Sequence, residues 1–184
     1  MGGEAKRSAC VIYISPNYLA VKLIVSKVRL THPTDEENDV VMLRDVFDDL
    51  IRFETVLWNE VDARLQRDAA VTLGSLNLML VIEATPACRV QDIAKALAIT
   101  VGGTSQAVDR LEKAGWCARA AHPTDRRSSI VELTEAGAAV VRRANPVFDD
   151  ALDRFIGDPL EPRALAEFAD SLRALRSGAT HLIG

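Results

Sequence analysis

The stretch VQDIAKALAITVGGTSQAVDRLEKAGW, residues 90–116, carries two short helical patterns separated by a turn with two adjacent glycines. The pattern indicates a first helix over residues 91–97 and a second over residues 104–113. Residues 99–103 form the connection, and Gly115 follows the end of the second pattern. Two helices of this length joined by a tight turn form a helix-turn-helix unit.

The residues after this unit predict a two-stranded hairpin. Residues 116–121 read as one strand and residues 129–133 as a returning strand with alternating exposure, and the turn between them, residues 123–127, contains proline. Thr134 is suited to cap the helix that follows. Because two strands after a helix-turn-helix form a wing, residues 75–137 predict a winged helix-turn-helix domain.

Long amphipathic segments flank this domain on both sides, residues 40–74 before it and residues 138–184 after it. Before the domain we expect a helix over residues 40–65 capped by Asn38 or Asp39, a connection over 66–74 and a helix over 76–83 capped by Ser75. After the wing we expect a helix over 135–156 that Pro146 kinks or splits. Residues 158–162 then interrupt the helical pattern, and a last helix follows over 163–176. The predicted fold class is therefore mainly α with a small β-wing.

Residues 1–39 fit this scheme poorly and are treated as an N-terminal extension. The first 34 residues are rich in β-branched side chains, contain Pro16 and Pro33 and carry a net charge of +4. Either they form a basic, partly disordered arm, or translation starts near residues 40–42. We prefer the second interpretation because the amphipathic pattern begins there.

Composition excludes several classes of protein. A hydrophobic content of 48% is enough to build an ordinary core, and no apolar run reaches the roughly 18 residues that a membrane-spanning helix needs. Cys10, Cys88 and Cys117 show no CxxC spacing, so we expect neither a disulfide framework nor a metal site, and no other cofactor. The expected compartment is the cytoplasm.

The net charge of −4 is unevenly distributed along the chain. Residues 35–68 contain eleven acidic and four basic side chains, a net charge of −7, whereas residues 88–143 contain nine basic and six acidic side chains, a net charge of +3. The local field matters more for binding a polyanion than the total charge does. The second segment is therefore the one suited to nucleic acid.

The sequence contains no motif that predicts an enzyme. HExxH, P-loop and GxSxG patterns are absent. His122, Asp125 and Ser128 have the residue types of a hydrolase triad, but they belong to one hairpin, whereas a triad is assembled from distant segments beside an oxyanion hole. We therefore expect no catalytic residues.

The helix-turn-helix and the wing together resemble the multiple-antibiotic-resistance regulator (MarR) family. The resemblance covers residues 42–177, and its strongest marks are Asp109-Arg110-Leu111-Glu112, Asp125 with Arg127, and Leu133-Thr134 with Gly137. It implies a homodimer whose N- and C-terminal helices pair, with a small-molecule effector bound between those helices and the winged domain. It also implies a transcription regulator, more often a repressor than an activator.

The second helix of the helix-turn-helix supplies the candidate contacts to DNA. An α-helix fits the major groove, and its N-terminal residues meet the base edges. The candidates are Thr100, Gly103, Thr104, Ser105, Gln106 and Arg110. Two alternatives stay open: Thr104 or Ser105 merely caps the helix, and Arg110 pairs with Asp109, Glu112 or the wing aspartate instead of binding phosphate.

The wing supplies the second group of candidates. The resemblance places Arg127 in the minor groove, where a narrow groove concentrates negative potential. Arg126 is then the phosphate contact, and Asp125 orients an arginine or the wing backbone. The alternative is a solvated charge pair at a hairpin tip.

Apolar residues on the flanking helices are candidates for the dimer interface and the effector pocket. The interface candidates are Leu43, Phe47, Leu50, Leu165, Phe168 and Leu172, each of which is alternatively part of the intramolecular core. Phe53 and Trp58 are candidates for the pocket, although aromatic residues on helices are more often core.

These features predict a ligand-responsive regulator that binds double-stranded DNA sequence-specifically. A homodimer with two recognition helices would read a pseudo-palindromic operator with half-sites about one helical turn apart. Two other hypotheses stay open: a winged-helix protein-interaction module that does not bind DNA, and a regulator that senses oxidants through Cys88 or Cys117.

Overall fold

The computed structural model describes residues 42–121 and 129–183. Within these ranges the chain forms six α-helices, a two-stranded antiparallel sheet and one π-helical turn. In chain order the elements are α1 Leu43–Ala69, α2 Leu73–Ala84, α3 Val90–Ala96, α4 Val101–Lys113, β1 Cys117–Ala121, β2 Ser129–Leu133, α5 Glu135–Leu152, the π-helical turn Asp153–Gly157 and α6 Pro162–Ile183. The mainly α fold with a small β-wing is confirmed.

Several helix ends differ from the sequence-based expectation. Helix α1 continues to Ala69, and Ala70 closes it in the left-handed conformation. Thr72 rather than Ser75 caps α2, because the Thr72 hydroxyl accepts the Ser75 N–H at 3.2 Å. Arg89 is the extended residue before α3, whereas Val90 is already helical.

The C-terminal helices are less interrupted than expected. Pro146 lies inside α5, which continues through it to Leu152, so the expectation that proline splits this helix is wrong. The hydrogen-bond pattern changes at the π-helical turn, where the Asp158 N–H donates to the Asp153 carbonyl at 2.7 Å. Helix α6 begins with Pro162, which suits a first helical position, and runs to Ile183 rather than residue 176.

The core lies where the C-terminal half of α1, α2, α5 and the helix-turn-helix meet. Its largest fully buried apolar side chains are those of Leu65, Leu76, Met79, Ile93, Val61, Val108, Val131 and Val141. Burying a Leu, Ile, Val or Met side chain stabilises a fold by about 1.5–3 kcal/mol. This core therefore fixes the helix-turn-helix against the base of the wing.

The hairpin is attached to the helices at both of its edges. Strands β1 and β2 pair in the register Cys117↔Leu133, Arg119↔Val131 and Ala121↔Ser129. On the β2 edge the Val131 N–H donates to the Cys88 carbonyl, just before α3, at 2.7 Å. On the β1 edge the Arg119 N–H donates to the Glu112 carboxylate of α4 at 3.2 Å.

A tight junction connects the wing to α5. Thr134 caps α5 as expected, since its hydroxyl accepts the Gly137 N–H at 3.0 Å, and the same hydroxyl donates to the Gly115 carbonyl at 2.7 Å. The Thr134 N–H donates to the Trp116 carbonyl at 3.1 Å. Gly137 is fully packed here, because a Cβ atom at this position would lie 1.9 Å from the Trp116 carbonyl oxygen.

None of the helices within residues 42–121 and 129–183 is long and apolar enough to cross a membrane.

Candidate nucleic-acid interface

Helix α4 presents a polar face outward and buries the opposite face. Its N-terminus lies at Val101 rather than at residue 104, because the Thr100 hydroxyl accepts the Gly103 N–H at 3.2 Å and caps the helix there. Gly102 and Gly103 therefore belong to the first helical turn and not to a loop. The buried residues are Thr104, Val108 and Leu111.

Thr104 requires a correction to the sequence-based prediction. Its side chain is fully buried, and its hydroxyl donates to the Thr100 carbonyl at 2.9 Å. It contributes packing and one hydrogen bond within the helix, and it cannot reach a base or a phosphate in this structure. The earlier start of α4 is the reason, since it moves Thr104 from the helix end onto the inner face.

The other predicted residues of α4 remain available to a ligand. Thr100, Gln106 and Arg110 are exposed, and Gly103 and Ser105 are half-buried. The earlier helix start adds Val101, which is 50% exposed, at the tip of α4. An apolar side chain at this position is suited to contact a thymine methyl group in the major groove. The sequence pattern did not indicate Val101 as a contact, because it predicted a turn over residues 99–103.

Arg110 makes no ion pair or side-chain hydrogen bond with any residue that the structure describes. The alternative that it pairs with Asp109 or Glu112 is not observed, because both of those carboxylates bind Arg119 of strand β1. Lys113, one turn further along α4, is also exposed. The outer face of α4 therefore offers cationic side chains whose neighbouring acids are engaged elsewhere.

Arg119 connects helix α4 to the wing, and the sequence pattern did not indicate this role. Its Nη2 atom lies 2.6 Å from Asp109 Oδ1, and its Nη1 atom donates to Glu112 Oε2. Burial acts to lower the pKa of Arg119, but the hydrogen bonds to Asp109 and Glu112 and their negative charges outweigh it, so the pKa is raised above its usual value. Arg119 therefore stays charged at physiological pH.

The wing tip lies outside the described residues. This applies to the candidates Asp125, Arg126 and Arg127 and to His122 and Ser128. Strands β1 and β2, which carry the tip, are described up to the Ala121↔Ser129 pair. The roles assigned to the three tip candidates stay predictions.

Four of the six dimer candidates are exposed, so the described part of the chain leaves them uncovered. Leu43 is 84% exposed, Phe47 56% and Leu172 38%, and Leu50 is also exposed, so these four are not intramolecular core. Leu165 and Phe168 are half-buried. Further apolar side chains are exposed on the same two helices, namely Met42, Val46, Phe53, Val56, Trp58 and Leu175.

The two pocket candidates do not line an open cleft on the described part of the chain. This open cleft, of about 360 Å³, lies between the end of α2 and strand β2, and residues Ile82, Thr85, Pro86, Val131 and Leu133 line it. Phe53 and Trp58 lie instead on the uncovered half of α1. Their role in an effector pocket stays a prediction.

The two described cysteines are poorly suited to sense oxidants. Cys88 and Cys117 are 1% and 2% exposed. Burial raises the pKa of both thiols, and the negative charges of Asp92 and Glu112, respectively, raise it further. Because the thiolate is the reactive form, these surroundings oppose oxidation.

The described fold and interface define a winged helix-turn-helix protein, and comparisons with known proteins assign the family. The sequence profile of the MarR family matches residues 71–129. An uncharacterized HTH-type transcriptional regulator of Bacillus cereus is 30% identical over an alignment of 112 positions, which covers 56% of this chain and 74% of that protein. The chain belongs to the MarR family of transcriptional regulators.

Solved structures give the same assignment. The crystal structure of Sco3205, a MarR family transcriptional regulator from Streptomyces coelicolor in complex with DNA, matches with a TM-score of 0.69 and 32% identity, and the match covers 74% of this chain and 90% of Sco3205. Some curated relatives match over less of their length. This chain spans 65% of the regulator BilQ of Clostridium symbiosum and 52% of the multiple antibiotic resistance protein MarR of Escherichia coli.

Proposed function

We propose that this protein is a sequence-specific regulator of transcription that binds double-stranded DNA as a homodimer and is not an enzyme. The outer face of α4 carries the proposal, because Gln106 and Arg110 are exposed there and Arg110 has no ionic partner among the described residues. A helix with such a face fits the major groove, where its side chains reach the base edges. Sco3205, whose sequence is similar, was crystallised with DNA.

The homodimer is supported by the uncovered apolar residues of α1 and α6. Soluble monomers rarely expose large contiguous apolar surfaces, and such surfaces mark interfaces. None of the α6 residues whose side chains are described is buried, although Leu165, Phe168, Leu172 and Leu175 recur at helical spacing. Pairing of α1 and α6 with a second copy would bury these side chains, and a two-fold axis would direct two α4 helices to a pseudo-palindromic operator.

Control by a small-molecule effector, repression and a cytoplasmic location belong to the same proposal. CouR from Rhodococcus jostii, a protein with the same fold, was crystallised with p-coumaroyl-CoA. We infer that an effector of this protein would bind beside Phe53 and Trp58, which are 38% and 40% exposed in a single chain. The effector would act by binding differently to two separations of the recognition helices.

Substitutions on the outer face of α4 test the proposal. The probe is a duplex enriched by the wild-type protein from a random pool of sequences. We expect Gln106→Ala to reduce discrimination between this duplex and its single-base variants by about 10-fold, because a side chain that contacts a base edge contributes roughly 1–3 kcal/mol to discrimination. We expect Arg110→Ala to weaken binding to every duplex and to reduce the slope of log K against log salt by about one.

The two substitutions control for each other, because they lie four residues apart on the same exposed face. Binding would be measured by fluorescence anisotropy at several salt concentrations. If Gln106→Ala weakens all sequences equally, or if Arg110→Ala leaves the salt slope unchanged, the corresponding contact is not as proposed.

A further inference from the structure

Three hydrogen bonds join Arg119 of strand β1 to helix α4. The Arg119 guanidinium bridges Asp109 and Glu112, and the Arg119 N–H donates to the second oxygen of Glu112 at 3.2 Å. Asp109 and Glu112 lie three residues apart on α4, so they face the same side of the helix. An arginine presents its donors in a planar fork, which fixes an orientation that a single ion pair would not fix.

The hairpin is also hydrogen-bonded on its opposite edge, at the residue that faces Arg119. Arg119 faces Val131 across the hairpin. The Val131 N–H points away from β1 and donates to the Cys88 carbonyl at 2.7 Å, while the Arg119 N–H points away from β2 toward Glu112. The base of the wing is therefore attached to α4 on one edge and to Cys88, just before α3, on the other. Rotation of the hairpin relative to α4 would break bonds on both edges.

The arrangement also determines which charges α4 offers to DNA. Arg119 engages the carboxylates of Asp109 and Glu112, and its own side chain is only 25% exposed. Arg110 and Lys113, which alternate with these acids along the helix, are exposed. Removal of Arg119 would leave two unpaired carboxylates beside these cations, where they would repel a phosphate backbone.

We propose that Arg119 is a positioning residue for DNA recognition, which clamps the wing to α4 and so fixes the number of base pairs between the major-groove contact of the helix and the contact of the wing. The inference rests on the proposed function. Arg119 itself need not touch DNA, because its guanidinium is already bound by two carboxylates. Without the clamp, the hairpin would be held only at its β2 edge and at the junction with α5, and the spacing of the two contacts on the DNA would be discriminated less strictly.

The test uses the full-length protein and the duplex that it enriches from a random pool. A second duplex carries the same major-groove sequence with the flanking minor-groove sequence moved by one base pair. We expect the wild-type protein to bind the second duplex at least 10-fold more weakly. Arg119→Gln should bind the first duplex about 10- to 100-fold more weakly than the wild-type protein does, and should distinguish the two duplexes by less than about 3-fold.

Footprints separate positioning from a general loss of structure. In a hydroxyl-radical footprint, which reports the minor groove, Arg119→Gln should lose the flanking protection. Protection of guanine N7 from methylation, which reports the major groove, should persist at saturating protein. Arg142→Gln is the matched control, because Arg142 is exposed on α5 with no ion pair in the described chain, and it should retain both protections.

Two further variants keep the inference falsifiable if Arg119→Gln does not fold. Arg119→Lys keeps the charge but loses the fork, and it should recover affinity without recovering discrimination of the spacing. The double variant Asp109→Ala with Glu112→Ala removes the acceptors of the clamp from the helix side and leaves no unpaired acid. Retention of the flanking protection and of the spacing preference by the double variant would overturn the inference. If the wild-type protein enriches no sequence, the proposed function itself has failed.

Discussion

Replacing Gly137 by alanine should lower the free energy of unfolding by about 3 kcal/mol, the upper part of the usual range for overpacking. The added Cβ atom would lie 1.9 Å from the Trp116 carbonyl oxygen and 2.8 Å from its carbonyl carbon. Both atoms belong to the backbone, so no side chain can rotate away. Relief of the clash would move the start of α5 and break the hydrogen bond from Thr134 to Trp116.

The measurement is thermal unfolding at a fixed protein concentration, where a loss of this size in a domain of about 150 residues lowers the melting temperature by roughly 6–12 °C. Gly74→Ala is the matched control, because Gly74 lies inside α2 and nothing stands within 4 Å of its Cβ position. That substitution should raise stability by about 0.5–1 kcal/mol, because alanine has the higher helix propensity. Equal effects of the two substitutions would show that the junction at Trp116 is not tightly packed.

Replacing Phe47 by glutamate should convert the proposed dimer into monomers. Phe47 is 56% exposed in a single chain and lies among the uncovered apolar residues of α1. In a dimer the new carboxylate would be buried without a partner, and the aromatic contact would be lost. Central aromatic residues contribute about 2–4 kcal/mol to an interface, so the dimer dissociation constant should rise at least 30-fold. Loss of bivalency should also weaken binding to a two-half-site duplex by about 10²- to 10⁴-fold.

Analytical ultracentrifugation at several protein concentrations would measure the dissociation constant. Ala63→Glu introduces the same carboxylate on the same helix, at an exposed position about 160° around the axis from Phe47 when each residue turns by about 100°. This control should remain dimeric. Dimers of unchanged affinity in Phe47→Glu would place the interface on another surface.

The order of the elements could be predicted because short-range patterns determine it. The strand at residues 129–133 and the Thr134 cap depend on neighbouring residues only, and the structure has both at the predicted positions. The expected alternation of exposure along this strand is wrong, because the adjacent residues Ile130 and Val131 are both buried. The start of α4 was not predictable in this way. Val-Gly-Gly has low helix propensity and reads as a turn, and only the cap from Thr100, together with the burial of Thr104 and Val108, makes these residues helical.

The candidate site was predictable only in part, and for a related reason. Asp109 and Glu112 stand out in the sequence, but their partner Arg119 comes from the next element and reaches them only after the chain has turned at Gly115. Local spacing left two roles of Arg110 open, a contact to phosphate or an ion pair with one of these acids. The structure leaves Arg110 unpaired among the described residues, so the alternative in which it pairs with Asp109 or Glu112 is not observed.

The central claim is that the outer face of α4 reads a DNA sequence. The most direct test is a fluorescence-anisotropy titration of the full-length protein with the duplex enriched from a random pool and with a scrambled duplex of the same composition, at two salt concentrations. We predict tight binding to the enriched duplex that resists excess competitor DNA and weakens steeply as salt increases. Equal affinity for the two duplexes, or binding that salt does not weaken, would contradict the claim and favour a winged-helix protein-interaction module.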